Sequence, residues 1–258
     1  MKAGVVVFKQ WFSRLFRTTS AQENSSVSSQ VSVDPAKPGE AVSADPFYAV
    51  KKGGKEIAAK LFAAMSGENG IHLESLLSAL GALAGYACQI SVREALVVQQ
   101  GRAEKDVFIV VNSKHGGQTY YFGDLLNKPL AESRYSVWSL ASGASQKNGL
   151  AHLIDLHDIF KHVTASLGSD AFGIPRTPSA HQANEIPVNY VRFLWPQLFP
   201  LAQNFSATPT DWPILFGVAI QEILYASKDL IDPQLALSIV MESAVPMSKI
   251  YLGASQPQ

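Results

Sequence analysis

His152, Asp155, Asp158 and His162 recur at spacings of three, three and four within His152-Leu-Ile-Asp-Leu-His-Asp-Ile-Phe-Lys-His162. On a helix the four fall within about a third of a turn of one another. Two imidazoles and two carboxylates on one face could bind a divalent transition metal or hold an acid–base pair. However, the apolar residues of this stretch centre on the flank beside the stripe and turn most of it to solvent. Asp158 and His162, four apart, also make an ordinary surface pair, and no HExxH spacing is present.

The second candidate is the stretch from Gly168 to Pro187, which contains Pro175, Pro178 and Pro187 and carries Arg176, His181 and Glu185. A connection of about twenty residues is long for a compact domain, which marks it as functional or mobile. An arginine there could clamp a carboxylate or phosphate through two N–H groups. The competing reading is a variable surface loop.

Three weaker candidates remain. Lys114-His115-Gly116-Gly117 could offer backbone amides and a cation to an anion, but it lacks the GxxxxGK[ST] order, and turn geometry alone asks for Gly-Gly. Glu222 has apolar neighbours a turn away on both sides, so burial without a partner would raise its pKa and suit it to general-acid work. Pairing with an arginine or tyrosine is the commoner fate of such a glutamate. Cys88 is the single cysteine, which excludes an internal disulfide and a cysteine-based zinc site. It lies among small residues and reads as a buried hydrophobe. No GxSxG is present to suggest a serine hydrolase.

The elements that must position these groups are mostly helical. Apolar residues at 57, 61, 62 and 65 predict a helix over about 51–65, closed by Ser66-Gly-Glu-Asn-Gly70. A second, over about 72–99, contains eighteen uncharged residues between Glu74 and Arg93. Its serines, glycines and Gln89 make it a poor membrane span and a better core helix. Gly81 and Gly85 share one face of it and let another backbone approach closely. Val107–Val111 and Gln118–Phe122 flank a Gly-Gly turn and predict a β-hairpin. Helices are expected over about 150–167 and 188–199, the latter bent or ended around Pro196 and Pro200. Two more begin at Asp211-Trp-Pro213 and Asp232-Pro233, read as aspartate N-caps with proline in the first turn.

The chain has 258 residues, 47% hydrophobic and only 16% charged, with 21 cations against 21 anions. Length and apolar content permit a sizeable core. Neutrality argues against nucleic acid as a partner, which needs a concentrated basic footprint.

Charge is uneven only at the start. Residues 1–17 hold four cations and no anion. Phe8, Trp11, Phe12, Leu15 and Phe16 form one helical face, and Lys9, Arg14 and Arg17 sit on the other. Such a segment suits an anionic membrane surface or an acidic protein groove. An acid-poor amphipathic start is equally the pattern of a mitochondrial presequence, and a third reading is a tail resting on the protein's own body. Residues 18–45, rich in serine, proline and small polar side chains, read as a disordered linker.

The expectation is therefore an α+β, predominantly α-helical single domain over 46–252, with about five to seven helices and one β-hairpin. A flexible N-terminal tail precedes it and a frayed end follows over 253–258. The functional expectation is a non-enzymatic binding or adaptor domain tethered through residues 1–17, cytoplasmic and peripheral at a membrane, or in the mitochondrial matrix if those residues are a presequence. The alternative is a small-molecule hydrolase using the 152–162 stripe, with or without a metal, or the 168–187 loop. No cofactor is called for.

Overall fold

The computed structural model describes residues 47–253, apart from residue 69 and residues 114–117. The amphipathic segment 1–17, the linker 18–45, Lys114, His115 and the tail beyond 253 lie outside the described residues. Within them are seven helices of ten residues or more and one antiparallel two-stranded hairpin. This is the mostly helical α+β architecture with a single hairpin that the hydrophobic periodicity predicts.

The helices are α1 (Tyr48–Met65), α2 (Leu73–Val92), α3 (Val137–Lys147), α4 (Leu156–Ala165), α5 (Pro187–Phe205), α6 (Trp212–Ala226) and α7 (Pro233–Met247). The strands are β1 (Ile109–Asn112) and β2 (Thr119–Phe122), in register from Ile109 opposite Phe122 to Asn112 opposite Thr119.

Helix α2 is the axis of the molecule. Its residues from Ser75 to Gln89 are all buried, and α5, α6 and α7 pack around it. It is the one described helix long and apolar enough to cross a membrane, and 94% of its most apolar window is buried inside the body. Gly81 and Gly85 explain the closest packing. A Cβ at Gly81 would strike the carbonyl oxygen of Val240, and one at Gly85 that of Ala244. The α2 and α7 backbones therefore touch, as the four-residue spacing predicts. The Ser78 and Ser243 hydroxyls, 3.0 Å apart and buried, add one polar tie across the seam.

Several details differ from expectation. The 72–99 helix loses its α-helical form after Val92 and continues as a wider π-helical stretch over Arg93–Val98. The helix expected from Leu150 begins only at Leu156, because the Asp155 carboxylate accepts the amides of His157 and Asp158 and so caps the helix. A short acidic side chain that bonds its own backbone starts helices and does not extend them. Helix α5 runs through Pro196 and Pro200 to Phe205. Trp195 stacks on Phe199 at 4.7 Å and on Phe216 at 5.6 Å, holding the helix across its missing amide donors. Asp232 caps α7 as read, accepting from Gln234 and Leu235. Asp211 does not cap α6; its carboxylate instead accepts the Ser206 hydroxyl at 2.7 Å.

Candidate functional site

The segment 168–186 is an ordered strap laid across α2, α4 and α7. At its start the Gly168 amide donates to the Tyr120 hydroxyl, and Phe172 packs edge-on against the Tyr120 ring at 4.8 Å. In its middle Arg176 makes two sets of contacts. Its Nε and Nη2 donate to Glu242 Oε1 of α7 at 2.8 and 2.6 Å, and its Nη1 to Asp158 Oδ2 of α4 at 2.8 Å. The Glu242 side chain is only 7% exposed, so this arginine neutralises a carboxylate that would otherwise be buried unpaired.

Further on, His181 Nδ1 donates to Glu74 Oε1 at 2.8 Å. Glu74 stands in the first turn of α2, beside the positive end of the helix dipole. Burial pushes its carboxyl up, but the His181 hydrogen bond, its own backbone amide and the His72 and His181 imidazoles outweigh burial. The carboxyl titrates below the ordinary carboxylate range.

Around Glu74 the hydrogen bonds trace a Ser–His–Glu chain. His72 Nδ1 lies 2.9 Å from Ser75 Oγ, and His72 Nε2 lies 3.5 Å from Glu74 Oε2. The connectivity matches that of a nucleophilic triad. Its surroundings do not. Ser75 is 3% exposed and its Oγ accepts the Asn184 amide at 2.9 Å. His72 Nδ1 also accepts the Ser75 amide and so caps α2. This serine holds the strap and presents no nucleophile.

Beneath the strap lies a groove of about 340 Å³, lined by Ser78, Thr177, His181, Asn184, Asn189 and Ile239 among others. Its volume falls in the range of small-ligand sites. The lining mixes hydroxyls, carboxamides and aliphatic faces, with the imidazole of His181 at one side. A second cavity of about 270 Å³ borders the other end of the strap, between Tyr120, Phe172, Arg192 and Met247. A shallower one of about 330 Å³ lies beside the Arg176 ion pairs.

The structure thus brings Asp155, Asp158 and Arg176 to one depression, joined there by Glu242. The four-residue stripe does not survive as a unit: His152 precedes α4 and lies outside its helical periodicity, and neither His152 nor His162 reaches that depression. His181 belongs to the adjacent groove with Glu74. Glu222 faces Lys55 of α1 at 4.0 Å; burial raises its pKa and Lys55 lowers it. Its partner is therefore a lysine, where an arginine or tyrosine was the common expectation. Among the described residues no group of three or more histidine, cysteine or acidic side chains is arranged to hold a metal ion.

Sequence reasoning missed Glu74 and Glu242, the partners that fix His181 and Arg176. Each is the lone acid of a long apolar helix, Glu74 in the first turn of α2 and Glu242 in the interior of α7, and that isolation was the available signal. It also missed Lys249, 1% exposed just past α7. Its ammonium donates to Asn127 Oδ1 at 3.2 Å and lies between the Phe122 and Phe160 rings. Burial lowers its pKa to about 8. Cys88, fully buried as expected, has its thiol pushed up by burial, with the nearby Lys249 ammonium opposing. Comparison with known proteins finds no matching family, no matching curated protein and no matching solved structure.

Proposed function

We propose that this chain is a non-enzymatic binding or adaptor domain. Residues 1–17 attach it to an anionic membrane surface, and the groove beneath the strap receives a small polar ligand. The observation that carries the reading is how the strap's charged groups are used. Arg176, Asp158 and Glu242 close on one another, and His181 closes on Glu74. These pairs fasten a lip over a groove, so the strap's charged groups are spent on holding it in place. Four cations with an aromatic face supply roughly 1 kcal/mol per cation on anionic lipid, which gives weak and reversible attachment.

Co-sedimentation of the full-length protein with vesicles tests the attachment. Phosphatidylserine-containing vesicles should retain the protein in low salt, phosphatidylcholine vesicles should not, and Trp11→Ser with Phe12→Ser should abolish retention. If the protein ignores anionic vesicles in low salt, the membrane attachment fails.

A second reading rests on the Glu74–His181 pair. A carboxylate that fixes one imidazole nitrogen leaves the other free as a general base at the groove's edge. A hydrolytic activity abolished by His181→Ala, but kept by variants of residues 1–17, would favour an enzyme.

A further inference from the structure

Strand β1 is the outer strand of the hairpin and is exposed along its whole length. Ile109, Val110 and Val111 are 64%, 39% and 37% exposed. The sheet can grow on this side only. On the far side of β2, the Tyr121 amide donates to the Lys249 carbonyl at 2.8 Å, and Tyr120 bridges to Ile250. That bond also settles which groups of β1 point outward. Tyr121 turns its amide away from β1, so Val110 opposite it sits in a pair that exchanges no hydrogen bond. Its N–H and C=O face out, as do those of Asn112 two residues on. Neither residue's backbone has a hydrogen-bond partner among the described residues.

Natural edge strands are usually protected by a charge, a proline or a covering element. From Val107 to Asn112 this one carries no charge and no proline.

We propose that two copies of this chain pair through β1, antiparallel, about a two-fold axis at Val111. This register alone uses every free group. Val110 of each copy meets Asn112 of the other, which gives four hydrogen bonds between the copies. Centring on Val110 would instead call on Phe108, whose amide already donates to the Glu104 carbonyl at 2.8 Å. Val111 then lies against its own counterpart in a non-hydrogen-bonded pair, β-branched side chain to β-branched side chain. The result is a four-stranded sheet. A second copy is the occupant that fits because the strip is self-complementary in hydrogen bonding, uncharged, and β-branched from Ile109 to Val111. The net charge of zero sets no long-range repulsion between copies. An interface built on two short strands falls in the transient size class.

The test exploits the single native cysteine, which is wholly buried. Sedimentation of the full-length protein should show reversible doubling of its 27.9 kDa mass with concentration. Mild oxidation should cross-link Val111→Cys to itself, since residues in a non-hydrogen-bonded pair have Cα atoms about 4.5 Å apart, within disulfide reach. Ile109→Cys is more exposed but would stand four residues from its own counterpart, about 14 Å along the strand, and should not cross-link. Val111→Lys, which sets two ammonium groups face to face, should abolish the dimer without shifting the melting temperature measured at concentrations where the unaltered protein is monomeric.

A dimer in which the Val111→Cys variant does not cross-link, or in which the Ile109→Cys variant cross-links as fast, overturns the proposal. So does a monomer at every concentration. Slow thiol labelling of the two variants would then identify the chain's own residues on the edge, and fast labelling an edge with no occupant.

Discussion

Helices α2 and α7 meet backbone to backbone through two glycines, whereas the strap is pinned to the same two helices chiefly by hydrogen-bonded charged and polar groups. The first contact is a steric fit that salt and acid leave alone. The second is a set of hydrogen-bonded ion pairs, sensitive to the protonation of a carboxylate and to the loss of one partner. The comparison separates what builds this fold from what borders its groove. A seam of touching backbones tolerates no added atom; a strap on three or four pins can be loosened one pin at a time while the body stands.

Gly85→Ala should break the seam with the largest effect, because its methyl group would collide with the Ala244 carbonyl. We expect a loss of about 3 kcal/mol in urea unfolding. Arg176→Ala should cost about 2 kcal/mol, chiefly by leaving the Glu242 carboxylate buried and unpaired. Arg176→Met with Glu242→Met should recover most of that loss, and a double-mutant cycle measures the recovery.

Lys249→Met should raise stability by about 1 kcal/mol at neutral pH, since it removes a buried ammonium with one hydrogen bond. The same variant should flatten a pH slope. Lys249 titrates lower in the folded than in the unfolded chain, so the unfolded chain binds more protons from about pH 8 upward. Wild-type stability should therefore rise between about pH 8 and about pH 10.5, and the variant's should not.

The smallest effect belongs to Glu74. Its folded pKa is depressed, so its contribution is complete above the unfolded value of 4.5 and is lost as pH falls through the folded one. Hydrogen-exchange protection factors of the strap amides, corrected for the intrinsic rate, should fall as pH drops below about 4.5, by an amount worth less than about 1 kcal/mol. Protection factors along the α2–α7 seam should stay unchanged, and Glu74→Gln should remove the acid response.

The sequence shows the seam more plainly than the strap, and for a physical reason. Gly81 and Gly85 carry their meaning in their spacing, and Asp232-Pro233 marks the start of α7 by local chemistry alone. Ser136 caps α3 by accepting the Ser139 amide, yet that helix escapes a periodicity reading. Its face is built from small residues, Ala141, Ser142, Ala144 and Ser145, which give no apolar stripe. The site depends on partners distant in sequence. Arg176 and His181 stand out because they occur in a long proline-bearing connection, but nothing local couples them to Glu242 or Glu74. The 152–162 stripe is not one helical face, because periodicity assumes a helix throughout and Asp155 starts the helix there instead.

The contact of Gly81 with Val240 and of Gly85 with Ala244 also orders events in time. During synthesis α2 leaves the ribosome long before α7, the helix that covers its glycine face. Contacts so distant along the chain form late and slow folding. Until α7 arrives, the long buried helix at the centre of the body is bare on one side, and a chain stopped short of Pro233 keeps it bare. Truncation from the C-terminus should therefore produce aggregates and not a smaller domain.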